Sequence, residues 1–78
     1  MMKLCDVPNG YTVRIHLLSS RPELSLRLRE LGFCEDQKLR LISNSRGRLI
    51  CEILDTRIGI DGPVAGEIMV TAPEQGAP

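Results

Sequence analysis

The chain has 78 residues, of which 42% are apolar and 26% charged, with one Phe, one Tyr and no Trp. A chain of this length forms one domain that buries only about 60% of its unfolded surface, so a second domain is excluded. Its ten basic and ten acidic residues cancel, which argues against nucleic-acid binding, because nucleic-acid-binding domains usually carry a basic excess. Because aromatic residues are so few, the core must come from Leu, Ile and Val.

Membrane and secretion signals are not found in the sequence. No apolar run reaches the ~20 residues that span a bilayer, and the N-terminal stretch MMKLCDVPNG lacks the apolar region of a secretory signal. The three cysteines, Cys5, Cys34 and Cys51, are odd in number and widely spaced, as expected of free thiols in a reducing compartment. We therefore expect a cytoplasmic protein that does not insert directly into a membrane.

The first predicted element is a strand. Tyr11 to Leu18 alternates between apolar and polar residues, which predicts a half-buried strand with Val13, Ile15 and Leu17 on its core face.

The second predicted element is a helix from Ser20 to Gly32. Ser20 and Glu23 have the spacing of a capping box, and Pro22 falls in the first turn, where a missing N–H costs little. The leucines that the helical period places on one face are Leu24, Leu28 and Leu31. Leu26 lies off this stripe and should face away from the core. Gly32 is expected to end the helix in the left-handed conformation.

The remaining elements are short. Strands are predicted at Lys38 to Ile42, Leu49 to Leu54, Arg57 to Ile60 and Ile68 to Thr71. A turn-rich connection, Ser43 to Arg48, separates the first two of them. Asp61 as cap and Pro63 just after it predict one helical turn before the last strand.

These elements predict a mainly β fold, a small partly open five-stranded barrel with one α-helix after the first strand and a short helical turn before the last. Residues 1–72 should form the single domain. Residues 73–78 should be a disordered C-terminal tail, because this end of the chain is short, polar and rich in Pro and Gly.

Reactive side chains are few. His16, the only histidine, should lie on the polar face of the first strand, without partners at metal-ligand spacing. Cys51 is expected in the core and Cys34 near the surface, and no C-x-x-C pair is present. Glu35 and Asp36 are too few to fill a divalent-cation sphere. We therefore predict no catalytic residue, no metal ligand and no cofactor, hence not an enzyme but a protein that binds through a surface.

The order of motifs resembles the FeoA family of ferrous-iron-transport accessory proteins. The similarity spans roughly Leu4 to Val70 and rests on LRELGF (28–33), RIGI (57–60) and EIMV (67–70). The resemblance implies an SH3-like barrel in a small cytoplasmic protein that acts on FeoB, the membrane ferrous iron transporter with a GTP-binding domain. Within LRELGF, core positions are expected at Leu28, Leu31 and Phe33.

Three positions depart from the family pattern. Asp36 and Asp55 stand where family members usually carry Gly in turns, and Asp61 stands where a basic residue is usual. Because Asp is among the residues that best tolerate positive φ, both turns should keep that backbone conformation. Asp61 weakens any inference that uses the family's basic charge.

The resemblance implies an interaction module whose partner is the cytoplasmic region of FeoB. The expected contact surface is the outward side of the first helix, with Leu26, Arg27 and Arg29, because an exposed Leu ringed by charge is able to anchor an interface. A stray surface leucine is the competing interpretation. Alternative functions are a free-standing SH3-like regulatory module that binds another protein or peptide, a weak metal-binding domain related to metal-dependent repressors, a small enzyme or direct iron carrier, and an RNA-binding barrel. The oligomeric state is not predicted.

Overall fold

The computed structural model describes residues 1–74 as one curled antiparallel sheet with two α-helices and a short 3-10 helix, Leu4–Asp6. The strands are β1 (Met2–Lys3), β2 (Thr12–Leu17), β3 (Lys38–Ser45), β4 (Arg48–Ile53), β5 (Thr56–Asp61) and β6 (Met69–Val70); the helices are α1 (Pro22–Leu31) and α2 (Gly62–Ala65). The order in the sheet is β1-β6-β2-β3-β4-β5. The mainly β class is confirmed, and β1 is a sixth strand that the sequence analysis did not predict, because two residues carry no readable alternation.

Both ends of the described chain meet in this sheet. Met2 pairs with Val70 in the β1–β6 ladder. Beyond β6, the backbone N–H of Glu74 donates to the Thr12 carbonyl at 2.8 Å, and its carboxylate lies 2.8 Å from Arg14 Nε. Within the expected disordered tail, 73–78, Glu74 is therefore bonded to β2. Residues 75–78 of that tail lie outside the described residues.

The core face of β2 differs from the prediction at its end. Leu17, expected in the core, is 45% exposed, whereas Leu18 is fully buried. The cause is a register shift between Ile15 and Leu17 in the pairing of β2 with β6. Such a bulge interrupts the alternation of faces, so the next residue along the chain takes the core position.

Helix α1 begins one residue later than the capping-box prediction required. Its cap position is Arg21, which makes no side-chain capping bond, so the capping box assigned to Ser20 and Glu23 is wrong. The hydroxyl of Ser19 accepts the Arg21 N–H at 3.0 Å instead. Pro22 is in the first turn, as predicted.

Helix α1 ends in a Schellman motif. Gly32 adopts φ 109° and ψ 1°, and its N–H donates to the Arg29 carbonyl at 3.0 Å. The Phe33 N–H donates to the Leu28 carbonyl at 2.9 Å, while both of these side chains are buried in the core. This pattern of crossed bonds with an apolar contact across them defines the motif, and it confirms the predicted helix stop.

Leu31 was expected in the core, and that prediction is wrong. It is 53% exposed, although Leu24 and Leu28 of the same stripe are buried. Burial depends on what lies opposite each turn of a helix as well as on helical period. The last turn of α1 faces an open groove beside β5, so Leu31 has no core to enter.

The β3–β4 connection is shorter than predicted. Strand β3 continues through Ser45, and the six-residue connection 43–48 shrinks to Arg46 and Gly47, with φ of 54° and 76°. Positive φ at both residues of a two-residue loop is typical of the type I′ turn, whose twist suits a hairpin.

The two turns that carry Asp in place of Gly keep a left-handed backbone. Asp36 has φ 69° and Asp55 has φ 66°, so the predicted positive φ is confirmed at both. Leu54, before Asp55, also has positive φ, 49°, and is 79% exposed. Together Leu54 and Asp55 form the two-residue turn between β4 and β5.

Helix α2 follows its predicted start. The Asp61 side chain accepts the Val64 N–H at 2.9 Å, and Pro63 lies in the first turn. This cap turns the chain from β5 toward β6 and closes that side of the core, where Ala65 and Ile68 are fully buried.

The cysteines occupy different environments. Cys51 is fully buried on β4, and burial raises the pKa of its thiol to about 12, whereas Cys34 is exposed. Because the thiolate is the nucleophile, we expect iodoacetamide at about pH 8 to modify Cys34 in the folded protein and to reach Cys51 only in denaturant. Mass spectrometry of the modified peptides measures this, with Cys34→Ser as control. Equal labelling of both in the native state would contradict the burial of Cys51.

Candidate protein-interaction surface

Three residues of α1 were predicted to form a contact surface. Leu26 is 60% exposed and faces away from the core, as expected from its helical position. Arg27 lies at the border of the groove between α1 and β5. Arg29 is exposed but turned toward the end of the helix, where it pairs with Glu35. Leu26 and Arg27 are therefore accessible on α1, whereas the guanidinium of Arg29 is occupied by its ion pair with Glu35.

The Arg29–Glu35 pair fixes the loop after α1. The guanidinium makes two contacts with the carboxylate, 2.7 Å from Nη1 and 2.8 Å from Nη2. A hydrogen bond from the backbone of Glu35, reinforced by Arg29, lowers the pKa of that carboxyl. Among residues 1–74, Arg27 makes no ion pair within 4.0 Å, so Arg27 is the cation beside Leu26 that remains open to a partner.

The residues at the start of α1 are bonded to the segment between α2 and β6. Glu67, between α2 and β6, accepts hydrogen bonds from Ser19 at 2.9 Å and from Arg21 Nε at 3.1 Å. The Arg21 and Ser19 bonds lower the pKa of Glu67, and the same contact raises the pKa of Arg21. Helix α1 is thus held by ion pairs to Glu67 and Glu35 at its two ends and by the buried Leu24 and Leu28 between them.

A groove of about 420 Å³ lies between α1 and β5. Its apolar lining is Leu24, Leu28, Leu31, Ile60 and Val64. Its charged lining is Arg27, Glu30, Arg48 and Asp61. The sequence alone did not predict this groove. Its one signal was Leu31, the third leucine of the helical stripe, which was expected in the core.

The other residues with reactive side chains form no cluster that could hold a metal ion in the described part of the chain. His16 is exposed on β2, and within residues 1–74 no group of three or more His, Cys, Asp or Glu side chains is placed to hold a metal ion. In that same part of the chain, neither helix has the length and apolar character needed to cross a bilayer.

The sequence matches a known protein-domain family. The family model of the FeoA domain matches residues 2–72, almost the whole described chain. The chain belongs to the FeoA family. No curated protein sequence matches it significantly.

Solved structures show the same fold. FeoA from Chlorobium tepidum is 20% identical with a TM-score of 0.80, covering 88% of this chain and 68% of that one. FeoA from Stenotrophomonas maltophilia, solved with zinc and described as a prokaryotic SH3 domain protein, is 21% identical with a TM-score of 0.76, covering 91% of each chain. The SH3-like fold implied by the resemblance is confirmed.

A similar domain occurs in a longer protein. A manganese-dependent transcriptional repressor is 20% identical with a TM-score of 0.81, covering 90% of this chain. This FeoA-family chain spans only 40% of that repressor's length. At this identity the likeness concerns the fold of the shared domain.

Proposed function

We propose that this FeoA-family chain is a cytoplasmic accessory protein of ferrous iron transport, which binds the cytoplasmic region of the transporter FeoB and modulates it. Family membership over residues 2–72 supports the pathway. The observation that carries the choice of surface is Leu26, a large apolar side chain 60% exposed on a helix fastened at both ends. The contact surface is the outer side of α1, with Leu26 at its centre, Arg27 beside it and Arg29 at its edge.

The physical basis of this contact is apolar burial on a rigid support. Covering the exposed part of a Leu side chain contributes on the order of 1 kcal/mol, since complete burial contributes about 1.5–3 kcal/mol. Because the burial of Leu24 and Leu28 already orders the helix on the core, binding loses little conformational entropy in ordering it. Arg27 supplies a charge that selects an acidic neighbour on the partner and speeds association.

Leu26→Asp is the direct test of this surface. We expect the free energy of unfolding to change by no more than about 0.5 kcal/mol, because the side chain is exposed and lies outside the buried core cluster. Binding to solubilised FeoB should weaken at least ~10-fold, equivalent to about 1.4 kcal/mol. Urea unfolding and biolayer interferometry with immobilised FeoB measure the two quantities.

Leu54→Asp is the matched control, because Leu54 is even more exposed and lies in the β4–β5 turn. It should bind FeoB as the unaltered protein does. Equal weakening by both variants would remove α1 as the contact surface. No binding by the unaltered chain would overturn the proposed partner.

The alternative function is a regulatory or weakly metal-binding domain, and the fold shared with the manganese-dependent repressor favours it. Titration with ferrous iron under anaerobic conditions separates the two. Weak saturable binding of iron would favour the metal-binding alternative and tight stoichiometric binding a direct iron carrier, whereas FeoB binding without either would favour the accessory role.

A further inference from the structure

The outer edge of β5 carries backbone groups that are unpaired within residues 1–74. In this part of the chain, strand β5 is last in the sheet order and pairs with β4 alone. Ile53 and Thr56 flank the two-residue turn between β4 and β5. In such a hairpin, the two flanking residues form a hydrogen-bonded pair, in which each N–H donates to the other residue's C=O. Alternate residues from Thr56 onward therefore bond to β4. The residues between them direct N–H and C=O toward the free edge; they are Arg57, Gly59 and Asp61.

Gly59 has no explanation within the domain. It is exposed in the middle of β5, and its φ lies outside the positive region. An added Cβ would meet Arg48 Nη1 at 3.5 Å and Ile50 Cδ1 at 3.6 Å, which are ordinary contact distances. Glycine weakens a strand interior and often marks the close approach of another backbone. Within residues 1–74 no backbone pairs with this side of Gly59, so an approaching strand would come from another molecule.

We propose that β5 pairs antiparallel with β5 of a second copy of this chain, about a twofold axis at Gly59. This inference is independent of FeoB binding. In this register Gly59 faces Gly59 of the second copy, and Arg57 faces Asp61 of the second copy on both sides of the axis. All of these residues point their backbone groups outward, so each opposed pair exchanges two N–H···O=C bonds.

Charge and apolar pattern both favour this register. Arg57 and Asp61 are exposed on one face of β5, and opposite charges facing each other across strands are stabilising. On the other face, Ile58 lies opposite Ile60 of the second copy. A shift by one residue would place Arg57 opposite Ile60 and misalign the outward backbone groups.

The residue pattern of β5 also indicates which strand pairs with its free edge. A strand that complements this edge needs, in order, a basic, an apolar, a small, an apolar and an acidic residue. The segment 57–61, RIGID, has this order itself. The groove between β5 and α1 borders Gly59, Ile60 and Asp61 and leaves space of about 420 Å³ beside the edge. The surface is therefore self-complementary, as a twofold interface requires.

Amide exchange at rising protein concentration tests the proposal. Sedimentation should show the mass rise from 8.7 kDa toward twice that value. In the same samples, NMR should show slower exchange at Arg57, Gly59 and Asp61, and unchanged exchange at the amides bonded to β4. A constant monomer mass up to ~1 mM, or dimerisation without protection of those three amides, would overturn it.

Charge reversal gives the second test. Arg57→Asp and Asp61→Arg each place like charges opposite one another twice, so self-association should weaken at least ~10-fold in each. An equimolar mixture restores two opposite-charge pairs and should recover association. Arg46→Asp, the same charge change in the β3–β4 turn, is the control and should associate normally.

Because Asp61 caps α2, circular dichroism must confirm that Asp61→Arg folds. If Asp61→Arg does not fold, Gly59→Pro provides the second test. Proline removes the outward N–H of residue 59 without removing a hydrogen bond to β4, so Gly59→Pro should abolish dimerisation. If Arg57→Asp and Gly59→Pro associate as strongly as Arg46→Asp, the proposal is wrong.

Discussion

Replacing Leu28 by Ala is expected to lower the free energy of unfolding by about 2–5 kcal/mol. Leu28 is 1% exposed and closes the Schellman motif against Phe33. A chain of 78 residues has a total stability of only about 4–12 kcal/mol by the usual value per residue. The variant should therefore lie near the limit of folding, and its urea midpoint should fall sharply.

Leu31→Ala is the matched control for this effect. It deletes the same atoms from the same helix, three residues away, but from a side chain that is 53% exposed. Its loss should stay below about 1 kcal/mol, because little apolar surface returns to water. If the two variants lost similar stability in urea unfolding, the groove beside Leu31 would be closed in solution.

Gly32→Val should cost about 1–3 kcal/mol, the usual range for a residue held in an unfavourable backbone region. Gly32 has φ 109°, which a β-branched residue rarely adopts. A Cβ there would lie 3.8 Å from Ile58 Cδ1, an ordinary contact. The loss would therefore come from the backbone and not from a steric clash with the neighbouring strand. Thermal and urea unfolding measure it.

Gly32→Asn separates backbone strain from loss of the motif. Asn tolerates the left-handed conformation at helix ends, so this variant should lose clearly less stability than Gly32→Val. Equal losses would indicate that crowding near Ile58, and not φ, decides the residue at this position.

Local backbone chemistry explains which features were predictable. The helix stop at Gly32, the cap at Asp61 and the positive φ at Asp36 and Asp55 all depend on a residue and its immediate neighbours. A turn or cap forms from groups a few residues apart, so its signal is present in the local sequence. The family resemblance strengthened the interpretation of both Asp turns, because it identified where glycine is usual.

The incorrect predictions concern features set by distant residues. Leu17 leaves the core because β6, more than fifty positions away, pairs with β2 through a bulge. Ser19 replaces Ser20 at the helix start because Glu67 holds its hydroxyl. Leu31 is exposed because β5 stands a groove's width from α1. None of these contacts can be inferred from the pattern of apolar and polar residues in the neighbouring sequence.

The candidate surfaces show the same division. The outward position of Leu26 follows from helical period alone. The ion pair that occupies Arg29 requires the loop after Gly32 to bring Glu35 back to the helix. The free edge of β5 becomes visible only when the sheet order is known, although the pattern of RIGID was present in the sequence from the start.

The pairing of β1 with β6 brings the two ends of the fold together at one place. Met2 and Val70 are opposed in the ladder, at the end of the sheet order opposite β5. A short linker could therefore join the ends, and new termini could open at the Arg46–Gly47 turn, to give a circular permutant with the same core. The neighbouring positions of β1 and β6 would also let such a domain be grafted onto a larger polypeptide while its helix and far edge stay uncovered. The longer repressor that shares this fold is consistent with that modular use.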